Sequence, residues 1–192
     1  GQAGYRDLAL GAVQPLRYGL RTQGARIAGH MGIGGAAGLG SAIYALVRIA
    51  QLLDEPTLVE DAGRAAALIT RERVTSDKRL DVCLGAAGAI LGLLALYNVS
   101  LEEQVLERAI TCGQHLLNTR RVGPAGYRSW PTLDGKMLTG FAHGTAGIAY
   151  ALLRLYQVTQ VSDLLEAACE GIAYEDSLFA PAVGNWPDLR AE

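Results

Sequence analysis

Apolar and polar positions follow two different helical patterns along the chain. Four segments show the 3.6-residue period of a helix with one apolar face: 3–20, 57–71, 101–118 and 161–175. Three others are apolar at nearly every position: 39–50, 89–97 and 148–156. A helix with one apolar face lies on the outside of a core, whereas a helix that is apolar all round is enclosed by other helices. The pattern predicts three inner and four outer helices that alternate along the chain.

A glycine-rich element precedes each predicted inner helix, at 34–38, 85–88 and 144–147. Gly35, Gly85 and Gly144 are separated by 50 and 59 residues, and periods of this size are typical of arrays of helix pairs. Small residues allow inner helices to approach closely. We therefore predict an all-α fold of the α/α toroid type, in which the loops before the inner helices meet at one mouth.

Two features show how the predicted fold departs from a complete ring of helices. Three inner and four outer helices are too few to close the ring, so we expect residues 1–192 to form an incomplete toroid. Segment 123–139 is rich in turn-forming residues and breaks the helical pattern, so it predicts a short hairpin. In segment 101–118 the expected apolar face includes Ile110 and Cys112.

Composition and charge restrict the function. The net charge of −2 provides no basic field for nucleic acid or an anionic membrane. Three widely spaced cysteines do not make a disulfide framework, and we expect a reducing cytosol. The N-terminal residues lack the charged end and apolar core of a signal peptide, and charged residues interrupt the long apolar runs, so no membrane span is expected.

Several strings are distinctive in combination: LDVCLGAAGAILGLLALY (80–97), TGFAHGTAGIAYALLRLY (139–156), YEDSLF (174–179) and NWPDLR (185–190). GIGGAAGLGSAIYAL (32–46) and CGQHLL (112–117) fit the same pattern. Over essentially its whole length, 1–192, the chain resembles the cyclase (LanC-like) domain of class II lanthipeptide synthetases (LanM-type), as a central fragment. Terpene cyclases and glycosidases with α/α barrels share the architecture but not these strings.

The resemblance implies an activity. Such enzymes close lanthionine and methyllanthionine rings by adding a cysteine thiol of a ribosomal precursor peptide to a dehydroalanine or dehydrobutyrine. The implied partners are that peptide and a dehydratase domain of the same polypeptide, in the bacterial cytoplasm. The implied cofactor is Zn²⁺, which activates the thiol.

The resemblance also implies site residues. The histidine of the FAHG motif is His143, and the aspartate of the D-V-x-x-G motif is Asp81. The zinc ligands of the family follow the NWPDLR segment, so we expect them beyond residue 192, together with a first inner helix before residue 1. On this basis the chain alone is expected to hold no metal and to be inactive.

The two site candidates also have structural interpretations. His143 directly precedes Gly144 at the start of an inner helix, where a histidine either transfers protons or makes a local hydrogen bond. Asp81 lies four residues before Gly85, where an aspartate commonly caps a helix. In a functional role it would orient His143, balance its charge or relay its proton. The capping role and the functional role are compatible.

Other chemistry-bearing residues favour structural interpretations. Cys112 and His115 are three apart on one outer helix, but two ligands do not make a zinc site. His30 is expected to be structural. Cys83 is either a reactive thiol near the mouth or a buried one, and Cys169 is expected to be a packing residue.

Two further segments carry aromatic or charged side chains. Tyr127 and Trp130 in the turn-rich segment either line a peptide groove or pack as loop aromatics. Segment 185–190 is expected to be a connector, with Asp188 and Arg190 in hydrogen bonds.

Two alternative functions remain from the residues alone. The chain could be a non-catalytic helical scaffold that binds peptide or another partner. It could also belong to an α/α-barrel enzyme that acts on carbohydrate or isoprenoid, which needs clustered carboxylates or an aspartate-rich metal motif. Near the glycine elements, Asp81 is the one carboxylate that the sequence suggests.

Overall fold

The computed structural model of the protein describes residues 2–123 and 126–190. Within these ranges the fold is all-α, as predicted, with the following helices: α1 Gln2–Thr22, α2 Gly24–His30, α3 Leu39–Leu53, α4 Thr57–Ala67, α5 Arg71–Thr75, α6 Ala86–Ser100, α7 Glu103–Thr119, α8 Thr145–Thr159 and α9 Ser162–Leu178. Strands β1 Arg121–Val122 and β2 Arg128–Ser129 pair antiparallel, which confirms a hairpin near the predicted segment. A single 3₁₀ turn, Leu133–Gly135, follows.

Helices α3, α6 and α8 take the inner positions that their apolar sequences predict. Each packs against the outer helix that follows it, α4, α7 and α9 respectively, and α6 packs between α3 and α8. Most of α6 is buried, in agreement with its unbroken apolar sequence. Helix α1 is the fourth predicted outer helix and lies against α4.

Glycines set the distance between α3 and α6. A Cβ atom at Gly92 would lie 2.5 Å from the Gly40 oxygen, and one at Gly40 would lie 2.8 Å from the Gly88 oxygen. A Cβ at Gly88 would overlap the backbone of Gly35. Real Cβ atoms do not come this close to backbone atoms, so the two inner helices pack backbone to backbone only because these positions are glycine.

The inner helices share one type of C-terminus. Asp54, Leu101 and Gln160 each follow the last helical residue with φ of 51°, 54° and 56°. The amide of each donates to the carbonyl four residues earlier, which is a left-handed helix cap. The next outer helix begins two or three residues later, so all three turns between inner and outer helices are built alike.

A buried ion cluster fixes α1 on α4. Asp61 is fully buried and lies 2.7 Å from Arg17 Nε and 2.6 Å from Arg21 Nε. Burial raises the pKa of the Asp61 carboxyl, but hydrogen bonds from Arg21 and Arg17 outweigh this effect and leave that pKa below its usual value. The carboxylate is therefore held ionised and links two outer elements of the fold.

Two details differ from the sequence predictions. The outer helix expected over 57–71 ends at Ala67, and α5 begins separately after Thr70, whose hydroxyl accepts from the Arg73 amide. Ile110, assigned to the apolar face of α7, is 40% exposed, although Cys112 is buried as expected. In the part of the chain that the structure describes, no helix has the length and apolarity needed to span a membrane.

Candidate functional site

The loops that lead into the inner helices have the same backbone geometry. Each inner helix is preceded by a glycine in extended conformation: Gly38, Gly85 and Gly144. In each helix, the amide of the third residue after this glycine donates to the carbonyl seven residues earlier in the loop: Ser41 to Gly34 at 3.1 Å, Gly88 to Asp81 at 3.2 Å and Gly147 to Gly140 at 3.4 Å. The equivalent of Gly85 and Gly144 is therefore Gly38, and the predicted alignment on Gly35 is wrong by three residues.

This shared geometry brings His143 and Asp81 together from neighbouring loops. The Cys83 amide donates to the Ala142 carbonyl at 3.2 Å, which places the loop before α6 beside the loop before α8. His143 Nδ1 then lies 2.9 Å from Asp81 Oδ2. Asp81 is fully buried, whereas the His143 side chain is 33% exposed. The carboxylate thus holds the imidazole from the protein side and leaves its other edge accessible.

Both oxygens of Asp81 accept hydrogen bonds. Oδ1 accepts from the Leu84 amide at 2.6 Å, and Oδ2 faces His143 Nδ1. A carboxylate that accepts at Oδ2 requires a proton on Nδ1, so Nε2 of the neutral ring is the nitrogen with a free lone pair. Asp81 does not cap α6 itself, because the Ala86 amide at the start of that helix is held by Asp77 at 2.8 Å. Its bond to the Leu84 amide, three residues on, is nevertheless of the capping type.

The backbone beside Asp81 is strained. Leu80 is a buried non-glycine residue with φ of 65°, a conformation that costs of the order of 1–3 kcal/mol. Asp77 Oδ2 holds it there by accepting from the Leu80 amide at 3.1 Å, in addition to the Ala86 amide. His115 Nε2 lies 2.9 Å from the Asp77 carbonyl oxygen and supports the same turn.

A cleft opens next to the histidine. It has a volume of about 710 Å³, and most of the side chains that line it are apolar. The lining includes Phe141, Tyr150, Trp186 and Leu189, together with the polar side chains of His143 and Glu175. We call it the His143 cleft. Phe141 and Tyr150 pack with ring centroids 5.6 Å apart, which gives one wall an aromatic surface.

Glu175 is the residue of this site that the sequence analysis missed. It lies on α9, is only 6% exposed, and its Oε1 accepts from the Gly140 amide at 2.9 Å and the Ala146 amide at 2.7 Å. Burial raises the pKa of Glu175 above its ordinary value, and these two hydrogen bonds offset part of the rise. The sequence suggested that Asp81 is the one carboxylate near the glycine loops. This expectation is wrong, because Glu175 contacts the loop before α8. The available signal was the YEDSLF string, which contains Glu175.

Comparison with known proteins bears on what this site is. Over residues 1–192 the chain matches the family described as lanthionine synthetase C-like protein. The chain belongs to this family. It is also 34% identical over 87 residues to glutathione S-transferase LANCL1 of Danio rerio, an alignment that covers 45% of this chain. The aligned part spans only 18% of that relative's length.

Membership of the lanthionine synthetase C-like family confirms the family assignment that the sequence strings suggested. It supports a LanC-like domain in general, and lanthionine cyclases belong to this family. The catalytic roles of His143 and Asp81 stay predictions, because family membership does not assign them. What the structure adds is the hydrogen bond that joins the two side chains.

The Zn²⁺ ion that the resemblance implies has no donor set of three or more side chains among residues 2–123 and 126–190. Among these residues, no group of three or more histidine, cysteine, aspartate or glutamate side chains lies close enough to share a metal ion. Cys112 is fully buried, and burial raises the pKa of its thiol to about 12, while His115 is bonded to the Asp77 carbonyl. Cys112 therefore does not fit a zinc ion, which binds cysteine as the thiolate.

The other cysteines and histidines of this LanC-like chain occupy varied positions. Cys83 is half-buried, and burial, with a smaller contribution from Asp81, raises the pKa of its thiol. Cys169 is exposed, so the expectation that it packs in the core is wrong. His30 ends α2, is exposed, and its Nδ1 lies 2.8 Å from the Arg26 carbonyl oxygen.

The aromatic and charged candidates of the two remaining segments differ in burial and in hydrogen bonding. Trp130 is fully buried and its indole donates to the Leu116 carbonyl at 2.8 Å, so it is a packing residue and does not line a groove. Tyr127 is 41% exposed. Asp188 and Arg190 bond to each other, as predicted, and hydrogen bonds from Arg190 lower the pKa of Asp188 to about 2.

Proposed function

We propose that this chain carries the proton-transfer residues of a thioether-forming cyclase domain. The observation that supports the proposal most strongly is the hydrogen bond from His143 to Asp81, which engages Nδ1 and leaves Nε2 for reactants. The ring lies at the edge of the His143 cleft, whose aromatic and aliphatic lining suits a peptide segment. Membership of the lanthionine synthetase C-like family makes thiol addition the reaction to consider first.

The proposed reaction is a conjugate addition. A cysteine sulfur of the peptide bonds to Cβ of a dehydroalanine or dehydrobutyrine, and the C=C π electrons move towards Cα and the adjacent carbonyl. His143 Nε2 receives the thiol proton as the sulfur attacks and returns it to Cα as the enolate collapses. No atom is gained or lost, so the ring product is an isomer of the dehydrated peptide.

Asp81 has a defined part in this sequence. When Nε2 takes up a proton, the ring becomes cationic while Nδ1–H still donates to Asp81. The buried carboxylate then stabilises the imidazolium and keeps the ring from turning. It acts through His143 and does not itself contact the reacting atoms.

The finer identity belongs to the same proposal. We propose that the domain is part of a class II (LanM-type) lanthipeptide synthetase, that its substrate is a ribosomal precursor peptide, and that a dehydratase domain of the same polypeptide supplies the dehydroamino acid. In the proposed enzyme a Zn²⁺ ion would activate the cysteine thiol, and the steps above describe only what His143 and Asp81 do. The motif matches FAHG, YEDSLF and NWPDLR support this assignment.

A second candidate follows from the similarity to a protein named glutathione S-transferase. Conjugation of glutathione is also the bonding of a thiol sulfur to an electrophilic carbon, so the same His143–Asp81 pair could serve it. The two functions differ in whether the thiol lies in the peptide or in a free tripeptide.

One experiment separates these functions. A dehydrated precursor peptide with a free cysteine is incubated with the full-length protein, with and without glutathione, and analysed by mass spectrometry after thiol alkylation. Ring closure leaves the mass unchanged and removes the alkylatable thiol, whereas conjugation adds the mass of glutathione. Binding of the peptide without either product would indicate a scaffold. Neither binding nor product would contradict the proposal and leave open a barrel enzyme for carbohydrate or isoprenoid.

A further inference from the structure

The loop that carries His143 is closed at both ends by one side chain. Glu175 Oε1 accepts from the Gly140 amide, where the loop begins, and from the Ala146 amide in the first turn of α8. His143 lies midway between these two amides. A carboxylate at a helix N-terminus is also favoured by the helix dipole, so this clamp is stronger than two neutral hydrogen bonds.

Glu175 is itself rigidly held. Its side chain is almost fully buried, and its backbone carbonyl accepts from the Trp186 indole at 2.8 Å. The preceding residue, Tyr174, donates its hydroxyl to the Met137 carbonyl at 2.6 Å. Two consecutive residues of α9 thus hold the chain just before and within the His143 loop.

The neighbouring loop uses the same device. Asp77 Oδ2 joins the Leu80 amide to the Ala86 amide and so closes the loop that carries Asp81. In the described part of the loop before α3, which carries neither member of the pair, the Ser41 hydroxyl bonds to Gly38 and no carboxylate takes this position. Carboxylate clamps therefore occur at the two loops that bear the proposed proton-transfer pair.

We infer that Glu175 is a positioning residue, which fixes the His143 loop so that the imidazole meets Asp81. The inference rests on the proposed role of His143. Its mechanical part, the closure of the loop by Oε1, is a property of the fold and can be measured without turnover. Among the described residues Glu175 Oε2 has no hydrogen-bond partner, so the second oxygen is not needed for the clamp.

Three substitutions in the full-length protein separate position from charge. Glu175→Gln keeps an oxygen at the right length but no charge. Glu175→Asp keeps the charge but is too short to hold both amides. Asp176→Asn is the control, because Asp176 is the exposed acidic neighbour on the same helix. Amide hydrogen exchange at Gly140 and Ala146, ¹⁵N NMR of the His143 ring, and kcat and KM for ring closure are measured for each.

If Glu175 positions the loop, Glu175→Asp speeds exchange at both amides by about tenfold and lowers kcat by about 10- to 100-fold, with KM nearly unchanged. Glu175→Gln keeps the contacts to both amides without the charge, so it loses less than Glu175→Asp in both measurements, whereas Asp176→Asn stays within about threefold of the wild type. The Nδ1–H form of His143 persists in both variants. An Asp variant more active than the Gln variant would overturn the inference, because the charge of the carboxylate would then matter more than loop closure. Unchanged exchange in Glu175→Asp would also overturn it, whatever the outcome for His143.

Discussion

His143 Nδ1 lies 2.9 Å from Asp81 Oδ2, although the two residues are 62 positions apart in the chain. The bond exists because α6 and α8 are adjacent inner helices whose preceding loops share one backbone geometry. One loop supplies a buried carboxylate and the next an imidazole with a free edge. The repeat of the fold thus assembles the candidate site from equivalent loops.

Replacing Asp81 tests whether the carboxylate controls the histidine. In Asp81→Asn the amide oxygen is neutral and the amide nitrogen competes for Nδ1, so the ring loses its fixed tautomer. We expect kcat for ring closure to fall by about 10²- to 10⁴-fold with a much smaller change in KM. Asp163→Asn, an exposed acidic position in the first turn of α9, is the control and retains the wild-type rate. Equal rates for both variants would refute the role of Asp81.

The glycine contact between α6 and the loop before α3 predicts a large effect on stability. Gly88→Ala inserts a methyl group into the backbone of Gly35, so we expect the free energy of unfolding to fall by about 3 kcal/mol. Gly63→Ala in α4 meets no atom within 4 Å and is expected to stabilise the protein by about 0.5–1 kcal/mol. Urea unfolding of both variants measures the contrast, and similar values for the two would contradict the packing described here.

Asp61 links stability to acid. Because its pKa is lowered in the folded state, it contributes stability that is complete above its unfolded pKa of about 3.9 and is lost as the pH falls through the folded pKa. Asp61→Asn mimics the protonated carboxyl. At pH 7 we expect this variant to be about 3–5 kcal/mol less stable than the wild type, with a gap that closes as the solution is acidified below pH ~4. Glu60→Gln, an exposed neighbour on α4, shows no such gap. A gap that does not change with pH would contradict the assignment.

The three cysteines differ in access and acidity, which predicts an order of alkylation. Cys169 is exposed and reacts first. Cys83 is half-buried with a raised thiol pKa and reacts more slowly, and Cys112, fully buried with a pKa of about 12, reacts only on unfolding. Alkylation at pH 8 followed by peptide mass mapping gives the order. Early labelling of Cys112 in the folded protein would contradict the burial of α7.

The alternation of inner and outer helices was predictable because it depends on local patterns. A segment such as 89–97, apolar on all sides, has no stable position outside a core. The pairing of His143 with Asp81 was also within reach, since each residue precedes an inner helix and a repeat places such loops side by side. Ambiguity arose where several glycines occur together. Between residues 32 and 40 five glycines permit more than one alignment, and backbone contacts select Gly38.

Glu175 and Cys169 show what the sequence pattern could not provide. Glu175 is charged and lies on an outer helix, so its burial depends on two amides that are 35 and 29 residues away. No local pattern reports such a partner. Cys169 was assigned to the core from its residue type, but it lies beside the buried positions Ala167, Ala168 and Gly171 and faces outward. The position of Cys169 along α9, and not its residue type, decides whether its side chain faces the core or the solvent.

The most direct test of the account is the rate of ring closure by the full-length protein with His143→Asn. A dehydrated precursor peptide is the substrate, and loss of the alkylatable thiol at constant mass is the signal. His30→Asn is the matched control, because that histidine is exposed and bonds only to its own helix in the described structure. The account predicts that His143→Asn lowers kcat by about 100-fold or more while His30→Asn does not. Ring closure at the wild-type rate in His143→Asn would contradict it.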